Sequence, residues 1–382
     1  MGPQPGGDRA VTTVGDVVAL IDRRYPFATA ESWDRVGLVT GALDDPVSTV
    51  LGTVDVTDAV VAEAEDRGAQ LILAHHPLLL HGVSAVRADE PKGRLLTRLI
   101  RSRIALLTAH TNADVPAAGV ADALADALGL TGTTPLRPRS PATLDKITTT
   151  VPPDHLDAVL GALADAGAGA IGTYDRAAFT TTGTGQFRPL AGSDPFLGRV
   201  GEVERVPETR LEMIMERARR GAVVAALLAV HPYQTPAYDV VEVAPTGAVT
   251  AGLGRVGDLA APCALAEFAA RVVQVLPRTP AGIRVAGDPG RVVRRIAVQA
   301  GAGDDLFAAA RDSGADVYLT SDLRHHPASE ALAYDGSPAL VDVSHWAAEW
   351  TWLPVLAGLL HDVGLQAHVS TICTDPWTSV FR

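Results

Sequence analysis

Cysteine is scarce: Cys263 and Cys373 are the only two in 382 residues, too few and too far apart for a disulfide framework or a thiolate metal cage. Long apolar runs are also missing. The densest, residues 222–230, is far shorter than the roughly 20 residues that cross a bilayer. The opening MGPQPGGDRA holds no apolar stretch, so the expectation is a cytoplasmic protein with no signal peptide and no membrane contact. Positive charge is in short supply, with 32 Lys and Arg against 44 Asp and Glu and a net charge of -12. That disfavours a broad nucleic-acid-binding face and leaves room only for a local basic pocket. With 47% hydrophobic and 20% charged residues, the chain is neither disordered nor fibrous. At about 150 residues per domain its length suggests two or three domains.

Short runs of Val, Ile and Leu alternate with Ala-rich amphipathic stretches, the βαβ pattern of a mostly parallel sheet. Strands are expected at 49–54, 71–74 and 104–109, helices at 58–67 and 119–128, and a helix stop at Gly129. Residues 131–142, TGTTPLRPRSPA, read as a Pro- and Thr-rich linker. The rhythm then changes. A strand at 146–151, a helix at 155–166, a hairpin region at 174–187, a strand at 198–205, a helix at 208–219 and a strand at 238–243 give the order of a small ferredoxin-like α+β domain. Strands at 295–298, 317–320 and 340–343 restore the first rhythm. The expected fold class is α/β: two α/β halves, residues 1–142 and 246–382, form one domain, interrupted by an inserted α+β domain at 143–245.

Chemically capable residues follow the strands. His75 and His76 come after the second, His110 and Asp114 after the third, Asp322, His325 and His326 after 317–320, and His345 with Glu349 after 340–343. Alone, each is commonplace: a surface pair, a helix-capping Asp, an i,i+4 hydrogen bond. Ligands of open α/β sheets bind at the carboxyl ends of strands, so four such ends carrying His or carboxylate point to one metal crevice. Imidazole and carboxylate without thiolate suit Zn, Mn, Fe, Co or Ni. His75, His76, Asp114, His345 and Glu349 exceed what one tetrahedral zinc takes. Two divalent ions a few ångströms apart, bridged by Glu349, would use them all and activate water for hydrolysis.

At these residues the sequence resembles the Nif-three-like dinuclear metal protein family, the bacterial GTP cyclohydrolase 1 type 2 homologs. The resemblance runs through ESWDRVGL (31–38), DVT (55–57), GAQLILAHHPLLL (68–80), AHTNADVPAAGVADALADALGL (109–130), GADVYLTSDLRHH (314–326), VDVSHWAAE (341–349) and TDPWTSVF (374–381). HPYQTPAYDVVEV (231–243) is similar to the marker of the PII/CutA-like insertion of longer members. By resemblance, His75, His76, Asp114, His345 and Glu349 take the ligand roles for two divalent ions per chain, zinc first among them. His110 becomes a reserve or supporting ligand. The family further implies a ring-shaped homohexamer and a GTP cyclohydrolase reaction, in which water opens the purine imidazole ring. Ser344 and Ser321 stand where Gly is usual, and Gln234 where Glu is frequent; none of these removes a ligand.

The expected activity is therefore hydrolysis of a small molecule, a nucleotide or related phosphorylated compound, with Asp322 and His326 as proton-transfer groups. The alternative is a non-catalytic metal-binding regulator or oligomeric scaffold whose insertion senses a ligand. Gly301–Gly303 is a candidate anion loop or simply a tight turn. Arg35, Lys92, Arg94 and Arg324 are the basic residues nearest the motifs. Trp33 is expected in the core with Asp34 tying a loop, and both cysteines as small buried hydrophobes.

Overall fold

The structure is a computed structural model that describes residues 12–139, 143–171, 174–244 and 249–381. Residues 1–11, and residues 140–142 of the expected linker, lie outside the described residues. The strands in chain order are β1 (Gly37–Thr40), β2 (Thr49–Thr53), β3 (Leu71–Ala74), β4 (Ala105–Thr108), β5 (Leu130–Pro138), β6 (Leu144–Val151), β7 (Ala178–Phe187), β8 (Glu204–Glu216), β9 (Tyr238–Val243), β10 (Gly252–Ala264), β11 (Arg284–Ala286), β12 (Val292–Ala302), β13 (Val317–Ser321), β14 (Ala339–Val343) and β15 (Gln366–Val369). The chain divides into two compact units, one of Met1–Arg139 with Val249–Arg382, the other of Ser140–Ala248. No described helix is long and apolar enough to cross a membrane.

In the first unit, one sheet has the order β1-β4-β3-β2-β15. Its strands are parallel except β1. Strands β2, β3 and β4 are buried at every residue, as parallel strands covered on both faces must be. β15, the last strand of the chain, completes this sheet beside β2. The second sheet runs β11-β14-β13-β12-β10-β5 and is mixed rather than mostly parallel, because β5, β10 and β11 are antiparallel to their neighbours. One continuous apolar core joins the sheets, from Leu71, Leu73 and Leu107 to Ile296, Val298 and Val341. Trp352, the largest fully buried side chain, donates its indole N–H to the Tyr25 hydroxyl at 3.1 Å.

The expected linker at 131–142 is corrected here. Its first part is β5, paired with β10 and holding Pro135 and Pro138. β5 lies at the open edge of its sheet, the place where a strand tolerates prolines that lack an N–H. Arg255 on β10 fastens the returning chain. Buried almost completely, it meets Asp122 through both Nε and Nη2 at 2.7 and 2.6 Å. Its other N–H groups reach the carbonyls of Pro116, Gly252 and Gly254. A buried guanidinium is tolerable only with every donor engaged in this way.

The second unit is an antiparallel sheet of order β7-β8-β6-β9, with helices Leu156–Asp165 and Arg220–Val230 packed on it. Strand, helix, two strands, helix and strand in that order form a ferredoxin-like arrangement. A helix expected at 208–219 is instead most of β8, and the strand expected at 198–205 begins only at Glu204. Glu, Arg, Leu and Met favour helices locally, yet Leu211, Met213 and Met215 alternate into the core with period two. The helix of this region is the apolar run that follows, with Val223 and Leu227 buried.

Asp122→Ala strands the Arg255 charge in the interior. It is expected to lower stability by about 3 kcal/mol in urea denaturation. A loss below about 1 kcal/mol, as for an exposed ion pair, would contradict this role.

Candidate metal centre

The carboxyl ends of both sheets of the first unit supply the site. His75 and His76 leave β3, His110 leaves β4, and Asp55 follows β2. Asp322 follows β13, and Ser344 and His345 follow β14. Ser344 accepts the N–H of Ala347 and caps helix His345–Trp350. That helix carries Glu349 four residues beyond His345, on the same face.

Glu349 is the centre. It is 3% exposed, and three imidazoles surround it. Its Oε1 lies 3.4 Å from His75 Nε2 and 2.8 Å from His345 Nε2, and its Oε2 lies 2.9 Å from His76 Nε2. Ligand atoms of His76, His345 and Glu349 all lie within 4.8 Å of one another, as do those of His75, His76 and His110. His75 Nε2 is buried with no hydrogen-bond partner among the described residues, and Glu349 Oε2, equally buried, faces only the His76 ring. Imidazole and carboxylate ligand atoms converging in this way could hold a metal ion.

The other ring nitrogen of each histidine is held. Nδ1 of His75 donates to the Ala109 carbonyl at 2.9 Å, and Nδ1 of His76 to Asp55 at 2.7 Å. Nδ1 of His345 donates to Asp322 at 2.6 Å, and Nδ1 of His110 to Asp34 at 2.9 Å. An acceptor on Nδ1 fixes the tautomer and turns the ring, the arrangement that supports metal-binding histidines. Asp322 is built for this task, with a left-handed φ of 58° at a non-glycine residue. Gly301 makes the space: a Cβ there would lie 2.6 Å from Glu349 Oε1 and 3.3 Å from His345 Nε2.

Burial alone would raise the Glu349 carboxyl, but His76, His345 and His75 outweigh it and hold the group well below its usual range. Burial would likewise lower the two imidazoles, yet Glu349, with Asp55 or Asp322, lifts His76 to about 10 and His345 to about 11. Asp114 goes the other way: burial, with Glu349 adding to it against His110, pushes it up to about 7. Asp114 thus feels the centre, although it belongs to neither close group of ligand atoms.

Of the expected site residues, the fold brings His75, His76, His345 and Glu349 together, with His110 beside them and Asp114 near. Asp322 touches His345, while His326 stands exposed on helix His325–Leu332 against His325. Asp55, read only as part of a motif, emerges as the carboxylate behind His76; its place after β2 was the available signal. Asp34 ties its loop as expected, accepting from the Thr111 N–H and hydroxyl, and also orients His110. Trp33 is not core. It is more than half exposed and packs edge-on to His110. Cys373 is exposed and Cys263 only partly buried, which corrects their reading as buried hydrophobes. Gly301 and Gly303 serve close packing rather than an open anion loop, since a Cβ on Gly303 would lie 2.3 Å from the Tyr318 hydroxyl. Arg94 and Arg324 are engaged with Asp58 and Asp304.

The family described as Duf34/NIF3 (NGG1p interacting factor 3) matches residues 12–376. A Mycobacterium leprae protein named GTP cyclohydrolase 1 type 2 homolog is 46% identical over 95% of this chain and 94% of its own. A Bacillus subtilis protein of the same name is 38% identical over 95% of this chain and 97% of its own. The crystal structure of a Bacillus cereus protein related to NIF3 superposes with a TM-score of 0.68 at 36% identity, covering 97% of this chain and 100% of that one.

Because a metal ligand must be a neutral imidazole, ions entering this site have to displace protons from His76 and His345. Loading at pH 8, below both raised values, is expected to release at least about two protons, with any ionised bound water adding to them. Titration calorimetry in buffers of different ionisation enthalpy measures the number, and binding without proton release would contradict the electrostatics. The sign fixes the pH trend: metal affinity falls as pH drops, because protons then compete more strongly for the rings.

Proposed function

We propose that this chain, which belongs to the Duf34/NIF3 family, is a dinuclear metal-dependent hydrolase of a nucleotide or related phosphorylated small molecule. The observation that carries the reading is the division of Glu349, one carboxylate oxygen toward His75 and His345 and the other toward His76. A carboxylate shared in this manner is suited to bridging two ions. His75, His76, Asp114, His345 and Glu349 would hold them, zinc first, with Mn, Fe, Co or Ni as alternatives. Bound there, such ions lower the pKa of water toward neutrality and offset negative charge developing on a substrate.

The protein's own part is positioning. Asp55, Asp322 and the Ala109 carbonyl keep the Nε2 atoms pointed inward, so that no reorganisation is needed when charge develops. A cavity of about 620 Å³ opens beside His76 and His345, walled by Arg284, Ser344, Thr374 and Trp377. It offers room for a small molecule, with an aromatic face and hydroxyls to orient it. In this reading Asp322 acts through His345, and His326 has no part. The same proposal includes a cytoplasmic homohexameric ring and a PII/CutA-like character for the inserted unit. The second reading, a metal-binding regulator, is favoured by a separate cavity within that unit.

The test is turnover of GTP and a panel of nucleotides and phosphate esters by metal-loaded protein. The expected result is metal-dependent hydrolysis that falls about a hundredfold or more in Glu349→Gln while the oligomer persists. Full metal occupancy with no turnover of any compound would leave the regulator.

A further inference from the structure

The inserted unit has a cavity of about 280 Å³ that owes nothing to the metal centre. Phe187, Phe196 and Tyr233 form its aromatic wall, and Glu208 and Arg188 are the charged residues that line it. The rings of Phe187 and Phe196 lie 5.9 and 6.3 Å from that of Tyr233. Glu208, on β8, is 8% exposed and makes no ion pair among the described residues. Its carboxylate occupies space that Gly185 on β7 leaves open: a Cβ there would lie 2.3 Å from Oε2. The Tyr233 hydroxyl is shut off from water and lies beside the Glu208 carboxylate, to which it can donate. Burial, and then the neighbouring Glu208, raise its pKa, so it stays a neutral phenol.

A buried carboxylate demands compensation. His231 feels the Glu208 charge, but its hydrogen bonds forbid it from carrying a compensating proton, and His155, against Phe196, forms no ion pair with Glu208 among the described residues. The His231 Nε2 faces the Thr150 carbonyl at 2.9 Å and must carry the proton, while its Nδ1 accepts the Tyr233 N–H at 3.1 Å and must lack one. His231 is therefore held neutral, and burial pushes its pKa the same way, down. Arg188 is exposed and sits at the same cavity without forming an ion pair with Glu208. What remains is a buried acid with a neutral phenol beside it and no ion-paired cation among the described residues, at a cavity walled by aromatic rings. Aromatic faces attract cations through their quadrupoles, and a nearby carboxylate adds to that attraction.

We propose that this cavity of the inserted unit is a binding site for a small organic cation, an amine or quaternary ammonium whose charged head lies against Glu208 and the rings of Phe187, Phe196 and Tyr233. The cation completes the charge balance of Glu208, and its apolar body fills the aromatic enclosure. The site stands whether or not the metal centre is a hydrolase.

The test uses the full-length chain and four probes of similar shape: benzylammonium, benzyltrimethylammonium, benzyl alcohol and benzoate, titrated calorimetrically. The quaternary probe cannot coordinate a metal, so its binding reports on the aromatic site alone. Both cations are expected to bind at least about tenfold more tightly than benzyl alcohol, and Glu208→Gln to erase that preference. Arg188→Ala, on an exposed side chain that does not threaten folding, is expected to leave cation binding unchanged or tighter. The proposal is overturned if benzyl alcohol or benzoate binds as well as the cations, or if neither cation binds. It is equally overturned if Glu208→Gln retains the preference, or if Arg188→Ala weakens cation binding tenfold.

Discussion

A carboxylate buried as deeply as Glu349 sets the terms for everything around it. Removing that charge from water is costly unless positive charge or strong donors surround it. Three imidazoles do so within 3.4 Å, and each is anchored from behind by an oxygen. Protons on His76 and His345, whose pKa values the buried carboxylate raises, balance the charge. Even a glycine answers to it, since any side chain at residue 301 would collide with Glu349 and His345.

The fold meets this requirement by bringing the strand ends of two sheets to one place. Residues before the insertion supply His75, His76, His110 and Asp55; residues after it supply Gly301, Asp322, His345 and Glu349. Neither stretch holds the ligand set alone. Arg255 ties β10 to Asp122, and β15 closes the first sheet, so the two stretches form one body. The core reaches the site as well: the Trp352 ring packs 5.5 Å from that of His75, and its indole nitrogen is fixed by Tyr25. Ligand placement is thus backed by buried packing rather than by loops alone.

Much of this was legible because the signal was local. The run LILA before His75 and His76 reads as a strand and is one, and the i,i+4 spacing of His345 and Glu349 puts them on one helical face, as they are. What escaped depends on distant partners. Residues 208–216 are helix formers by propensity and become a strand because β6 and β7 flank them. Residues 131–138 look like a linker until β10 is placed beside them. Asp55 is an ordinary acid until His76, 21 residues away, meets it. Trp33 is apolar enough for a core, but its neighbours in space are His110 and solvent. In each case burial or pairing decided by the tertiary fold overrode the local preference.

We propose that the buried atoms around Glu349 hold two divalent ions per chain. Elemental analysis of the purified protein and of His345→Ala, both reloaded with divalent metal, decides it. About two ions per native chain, falling to about one or fewer in the variant, is the expected result. Native protein that stays metal-free after reloading, or a variant with unchanged content, would contradict it.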